Sequence, residues 1–146
     1  MNIKTEKNMK QIRQIFIIGL ACTTLVFVNG CKKYDEGPAL SLKGKKARVA
    51  NEWKIEYAYD YNDNIDVTSD YSGETWDFTK KGEFTEKDNG VVDKAGTWEF
   101  VSDKEAIQVN ITGTGSSTET YTILKLKEKE MWLKDKDEEL HLVPSK

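Results

Sequence analysis

The chain is poor in the residues that most often carry chemistry. Among 146 residues it has one histidine, two cysteines and two prolines. No Ser/His/Asp or Cys/His nucleophile set is supportable around this one histidine, which is assigned to the surface. His141 lies between Leu140 and Leu142, so on an alternating strand that buries the leucines it faces out. No glycine-rich phosphate loop opens a helix. Cys22 and Cys31 both lie in the first 31 residues, so the remainder cannot form a disulfide and must be held by packing. With few prolines, strand-length segments run unbroken.

Long hydrophobic runs are also scarce. The one present is Ile15 to Val28, 14 residues preceded by Lys4, Lys7, Lys10 and Arg13. That is a signal-peptide core, shorter than the roughly 18–20 residues of a spanning helix. It ends in Val28-Asn29-Gly30-Cys31. A small residue directly before a cysteine at the end of such a run is what a lipoprotein signal peptidase requires. The expected organisation is therefore a signal peptide (1–30), a tether lipidated at Cys31 (31–46) and one folded domain (47–146). Using Cys22 would strand apolar sequence after the cut. The alternatives are an unlipidated secretory signal and an uncleaved N-terminal helix. No aspartate follows Cys31, and aspartate there is the usual inner-membrane retention cue, which favours the outer membrane of a cell envelope. Periplasmic and surface faces are both open.

Basic charge is in deficit too. The chain has 22 basic and 25 acidic residues, and removing the leader's four basic and one acidic leaves 18 against 24, a net −6. An acidic domain argues against nucleic acid and against electrostatic docking on anionic lipid, so membrane attachment is assigned to the lipid.

What the chain does have is aromatic residues at a period of two. Trp53, Ile55, Tyr57 and Tyr59 alternate with Lys54, Glu56, Ala58 and Asp60 in a first strand. A long polar connection, 61–73, follows. Further strands are centred on Trp76 and Phe78, Phe84, Trp98 and Phe100, Ile107 to Ile111, 118–126, Met131 to Lys134, and Leu140 to Val143, with turns at 80–82, Asn89-Gly90, 102–104, 113–117, 127–130 and 135–138. Leu124 and Leu126 fall on the face opposite Tyr121 and Ile123, which calls for a bulge or two-sided burial. Residues 45–51 form a short helix or stay flexible as part of the tether. Eight short strands without a long crossover predict an all-β, eight-stranded antiparallel up-and-down barrel rather than an open sandwich. The 60–73, 88–94, 113–117 and 135–138 connections share one end, a mouth. The shorter turns and the tether share the other, closed end, which places the mouth away from the membrane.

These positions carry a resemblance. Asn51-Glu52-Trp53-Lys54-Ile55, Trp76-Asp77-Phe78 with Gly82, Gly96-Thr97-Trp98-Glu99-Phe100, Tyr121-Thr122-Ile123-Leu124-Lys125-Leu126 and Met131-Trp132-Leu133-Lys134 resemble the lipocalin-like domain of small Gram-negative lipoproteins, over about residues 45–146. Asn51 departs from the glycine usual two residues before the first-strand tryptophan. The resemblance implies an eight-stranded barrel with a tryptophan near its closed end.

No enzyme and no cofactor are expected. Asp60-Tyr61-Asn62-Asp63-Asn64-Ile65-Asp66 spaces oxygens like a calcium loop, but Ile65 stands where the turn needs glycine and Tyr71 where a bidentate glutamate is needed, so it is assigned as a solvated acidic loop. The remaining candidate site is the barrel interior: Tyr57, Tyr59, Trp76 and Tyr121 towards the mouth, with Trp98 and Ile111 deeper. Two readings stay open. In one, these residues line a cup for a small hydrophobic molecule. In the other, they fill the barrel, and the protein is a structural or interaction lipoprotein with a protein partner in the envelope.

Overall fold

The structure, a computed structural model, describes residues 43–146 and the backbone of residues 35 and 36. The signal peptide, the lipidation of Cys31 and most of the tether lie outside the described residues. All described residues belong to a unit spanning Lys32–Lys146.

In chain order the elements are β1 (Asp35–Glu36), α1 (Lys45–Val49), β2 (Glu52–Asp60), β3 (Ile65–Asp66), a 3-10 turn (Thr68–Tyr71), β4 (Glu74–Phe78), β5 (Glu83–Asp88), β6 (Val91–Val101), a second 3-10 turn (Ser102–Lys104), β7 (Ala106–Thr112), β8 (Ser117–Leu126), β9 (Met131–Lys134) and β10 (Glu138–Pro144). The sheet runs β2-β4-β5-β6-β7-β8-β9-β10 and returns to β2, each neighbour antiparallel to the next. This is a closed eight-stranded antiparallel barrel. Closure leaves no sheet edge along the ring. β3 pairs with the end of β2, and β1 runs parallel to the end of β8, with Asp35 opposite Lys125 and Glu36 opposite Leu126.

Alternation decides what faces in. Trp53, Trp76, Phe78, Phe84, Trp98, Ile107, Val109, Ile123, Leu133 and Leu142 are all at most 4% exposed and form one core. At the closed end α1 lies over this core. Val49 is fully buried, its carbonyl accepts the Trp53 indole N–H at 2.8 Å, and Arg48 Nη1 reaches the Leu126 carbonyl at 3.4 Å. The helical alternative for residues 45–51 is the one observed.

Two irregularities differ from the simple alternation. The connection expected over 88–94 is only the two-residue Asn89-Gly90 turn, with φ of 49° and 81°, and the strand resumes at Val91. A register shift after Glu86 absorbs Asp93, so the long hairpin keeps its pairing. In β8 the register shifts between Ile123 and Lys125, so Leu124 bulges and Leu126 returns to the core, fully buried.

Glu52 couples β2 to the C-terminal segment and to β5. Its carboxylate accepts Lys87 Nζ at 2.8 Å and the Ser145 hydroxyl at 2.6 Å. These bonds, Lys87 first, hold its pKa down at about 2. A depressed carboxylate pKa stabilises the fold above the ordinary carboxylate range, and that contribution is lost as pH falls from about 4.5 towards 2. The full linkage value of ~3 kcal/mol shrinks to about 1–2 kcal/mol at this solvent-touching site. Unfolding free energies of wild type and Glu52→Gln from urea titrations should therefore differ by that amount at pH 7 and converge near pH 2. A gap that persists at pH 2 would show that the carboxylate's charge is not what matters.

Candidate functional site

The bore comes first, because the ligand cup was expected there. β4 and β8 stand four places apart in a ring of eight, on opposite walls. Trp76 projects from one and Tyr121 from the other, and their rings meet with centroids 5.5 Å apart. Trp76 also packs edge-on to Phe84 at 5.9 Å, Phe78 touches Trp98 at 5.7 Å, and Trp98 touches Phe100 at 5.5 Å. Trp76, Trp98, Ile111 and Tyr121 are 3–7% exposed. At this level side chains span the barrel from wall to wall, as an eight-stranded barrel permits. The indole N–H groups are satisfied: Trp76 donates to Glu74 Oε1 at 2.5 Å and Trp98 to the Thr79 carbonyl at 2.9 Å.

Tyr57 and Tyr59 are not in the bore. The register with β10 shifts between Ile55 and Tyr57, making Glu56 an extra residue. The bulge reverses the alternation beyond it. Ala58, expected outside, is fully buried, and the two tyrosines stand on the outer face. There they join a ladder across β9, β10 and β2. Trp132 stacks on His141 at 3.9 Å, His141 meets Tyr57 at 5.0 Å, Tyr57 lies 6.5 Å from Tyr59, and Tyr59 meets Tyr61 edge-on at 5.1 Å. Lys125 Nζ covers the Trp132 ring at 4.0 Å and Lys134 Nζ the Tyr61 ring at 3.2 Å. His141 therefore does face outward, yet it is half-buried by its neighbours and held by Glu139 at 2.8 Å. Such cross-strand pairs stabilise the sheet.

Towards the mouth the inward positions turn polar. Glu86 is 7% exposed and pairs with Lys94 Nζ at 2.7 Å. The Tyr121 hydroxyl donates to Glu119 at 2.6 Å, and the Tyr71 hydroxyl donates to Glu138. Burial first, then the carboxylate partner, raises both phenol pKa values well above the usual tyrosine range. Burial also raises the Glu74 carboxyl, against the opposing bond from Trp76. Tyr71 comes from the long connection between β2 and β4, which is not simply a solvated loop. Its 3-10 turn places Thr68 against Ala58, with Ala58 N–H bonded to Thr68 Oγ1 at 2.9 Å, and packs Tyr71 on the core. Asp60, the first residue of the calcium-like run, uses Oδ1 to cap the backbone N–H groups of Asn62 and Asp63.

Open space lies in the wall. β2 and β4 pair only over Glu52–Lys54 and Thr75–Asp77, after which the strands part. The gap is a cleft of about 490 Å³ lined by Ile55, Thr68, Tyr71, Glu74, Thr75 and Ser145, with Lys54, Ser69, Ser72 and Gly73 at its edge. Hydroxyl groups dominate, beside one apolar side chain, one phenol ring, one carboxylate and one ammonium. Such a lining suits a small molecule with several hydrogen-bonding groups. Sequence reasoning missed it. The visible signal was the run Thr68-Ser69-Asp70-Tyr71-Ser72-Gly73, too rich in hydroxyls and too aromatic for a plain linker.

The chain matches no protein-family model and no curated protein. Among solved structures it is similar to a lipocalin-like protein from Bacteroides uniformis, with 14% sequence identity over 66% of this chain and 98% of that one and a TM-score of 0.52. A protein from Bacteroides eggerthii, described as uncharacterized, aligns with 12% identity over 65% and 98% of the two chains at a TM-score of 0.48. At 14% identity the likeness to the Bacteroides uniformis protein speaks for the fold alone. The domain has a lipocalin-like barrel.

Proposed function

We propose that the protein is a lipid-anchored envelope lipoprotein that binds a small molecule in the wall cleft between β2 and β4. The cleft carries this reading: it is a concave site with convergent polar groups, beside a bore that aromatic rings occupy. The seat thus moves from the bore, where a cup for a small hydrophobic molecule was one of two readings, to an opening that offers hydroxyl groups beside apolar surface. Val28 to Cys31 supports a lipid anchor at Cys31, and the absence of an aspartate after it supports the outer membrane. No catalytic role is assigned.

The second reading is a solid barrel that acts by touching an envelope protein. Ring contact across the bore favours it, as do Val91 and Val92, 71% and 57% exposed at the β5–β6 hairpin tip. Native mass spectrometry of the protein extracted from its own membrane separates the two. A retained small-molecule mass that disappears in Thr75→Trp, which fills the cleft from its wall, is the expected result. A chain free of ligand, or one whose ligand survives Thr75→Trp, would sink the cleft reading.

A further inference from the structure

The domain's acidic net charge hides a division between its two ends. Closed-end segments 43–51, 79–82, 102–105 and 127–130 carry nine basic and four acidic residues. Mouth segments 61–73, 89–90, 113–116 and 135–137 carry one basic and five acidic. The inward strand ends at the mouth add Glu74, Glu86, Glu119 and Glu138 against Lys94. Among the closed-end cations, Lys46, Lys80, Lys81, Lys104 and Lys129 are exposed. Lys45, Lys46 and Lys104 line, with Gly44 and Phe100, a hollow of about 390 Å³ between α1 and the β6–β7 turn. Ion pairs of Lys43 with Glu128 and of Lys125 with Glu130 engage two of the four acidic groups there.

We propose that this closed end is a docking face for the anionic headgroups of the bilayer that holds the anchor. The proposal rests on the lipid-anchor reading of Cys31. Its occupant follows from charge and from chain length. β1 pairs with β8 at Lys125 and Leu126, beside the closed-end 127–130 turn. Asp35 is four Cα–Cα steps from Cys31, a reach of about 14 Å even when fully extended. A lipid on Cys31 therefore holds the basic end close to headgroups, near the ~8–10 Å over which surface charge acts in physiological salt. The acidic mouth is repelled by the same surface. The repulsion expected from net charge becomes a torque that stands the barrel upright, with its mouth facing away from the bilayer and its wall cleft facing sideways.

The test uses the mature lipidated chain carrying Ser116→Cys, labelled in the exposed β7–β8 loop at the mouth. It is reconstituted in vesicles of phosphatidylcholine alone or mixed with phosphatidylglycerol, with energy transfer to a surface acceptor as the readout. The expected result is one long label-to-surface distance in the anionic vesicles. It should broaden and shorten in neutral vesicles, in high salt, and in Lys80→Glu/Lys81→Glu/Lys129→Glu. At about fivefold per lysine lost, with the added carboxylates repelled as well, that triple change should lower the upright-to-tilted ratio by at least a hundredfold. Circular dichroism melts matching the parent would show that the triple variant is folded. Identical distances in both vesicle types, or a shorter distance in the anionic ones, would overturn docking. Intact mass tests the anchor separately. If Cys31 carries no diacylglycerol, the anchor reading fails, and docking is then decided by co-sedimentation of the full chain with anionic but not neutral vesicles.

Discussion

Trp53→Ala should cost the domain about 3–5 kcal/mol and lower its melting temperature by roughly 15–30 °C, enough to consume much of an ordinary domain's stability. Trp53 is fully buried, opposite Trp76 on β4 and Pro144 on β10. Truncation leaves a cavity between three strands that pairing prevents from collapsing. It also removes the 2.8 Å bond to the Val49 carbonyl, which fastens α1 over the closed end. Trp53→Phe separates the two effects: it keeps most of the apolar volume but leaves that carbonyl unpaired, at a cost of about 1–3 kcal/mol. Urea unfolding followed by circular dichroism gives both numbers. If Trp53→Ala lost less than about 1.5 kcal/mol, α1 and Trp53 could not be the closure of the barrel. Because Lys45 and Lys46 ride on α1, loosening this plug should also blur the basic face.

The strand count, the hairpin order and the closed end were legible because each strand carries its own period of two and each turn its own residues. Asn89-Gly90 announces a hairpin by positive φ alone, and the Leu124/Leu126 phase change announces a bulge because both faces cannot be apolar otherwise. The bulge at Glu56 gives no such signal. Tyrosine is tolerated on either face of a strand, so Trp53-Ile55-Tyr57-Tyr59 looks unbroken, and only the pairing with β10 shows that Ala58 has taken the inner place. The wall cleft was illegible for a related reason. It arises where two strands stop pairing, and that depends on the loop between them folding back through Thr68 and Tyr71, a non-local event. Net charge, summed over the domain, also hides how the charges divide between its two ends. The distribution becomes visible only once alternate connections are assigned to opposite ends.

Gly96→Ala is the second large effect, and its cause is different. Gly96 sits in mid-strand between Phe84 on β5 and Ile111 on β7. An added Cβ would lie 2.0 Å from the Asn110 carbonyl oxygen, 2.9 Å from its carbon and 3.0 Å from Ile111 Cα. All three are backbone atoms of β7, so no rotamer change relieves the clash and the strands must separate. Overpacking of side chains typically costs about 1–3 kcal/mol, and here the backbone itself is the obstacle, so the expected loss is ~3 kcal/mol or more. Glycine is the residue that lets another backbone come this close within a strand. Gly44→Ala is the control. A Cβ there meets nothing within 4 Å, so its melting temperature should stay near that of the parent. Amide exchange should show the Gly96→Ala damage concentrated in the β6–β7 ladder, where Trp98 and Ile111 lose their support, while β2 and β10 keep their protection. A variant within about 0.5 kcal/mol of wild type would mean that the β6–β7 spacing is not set by this glycine.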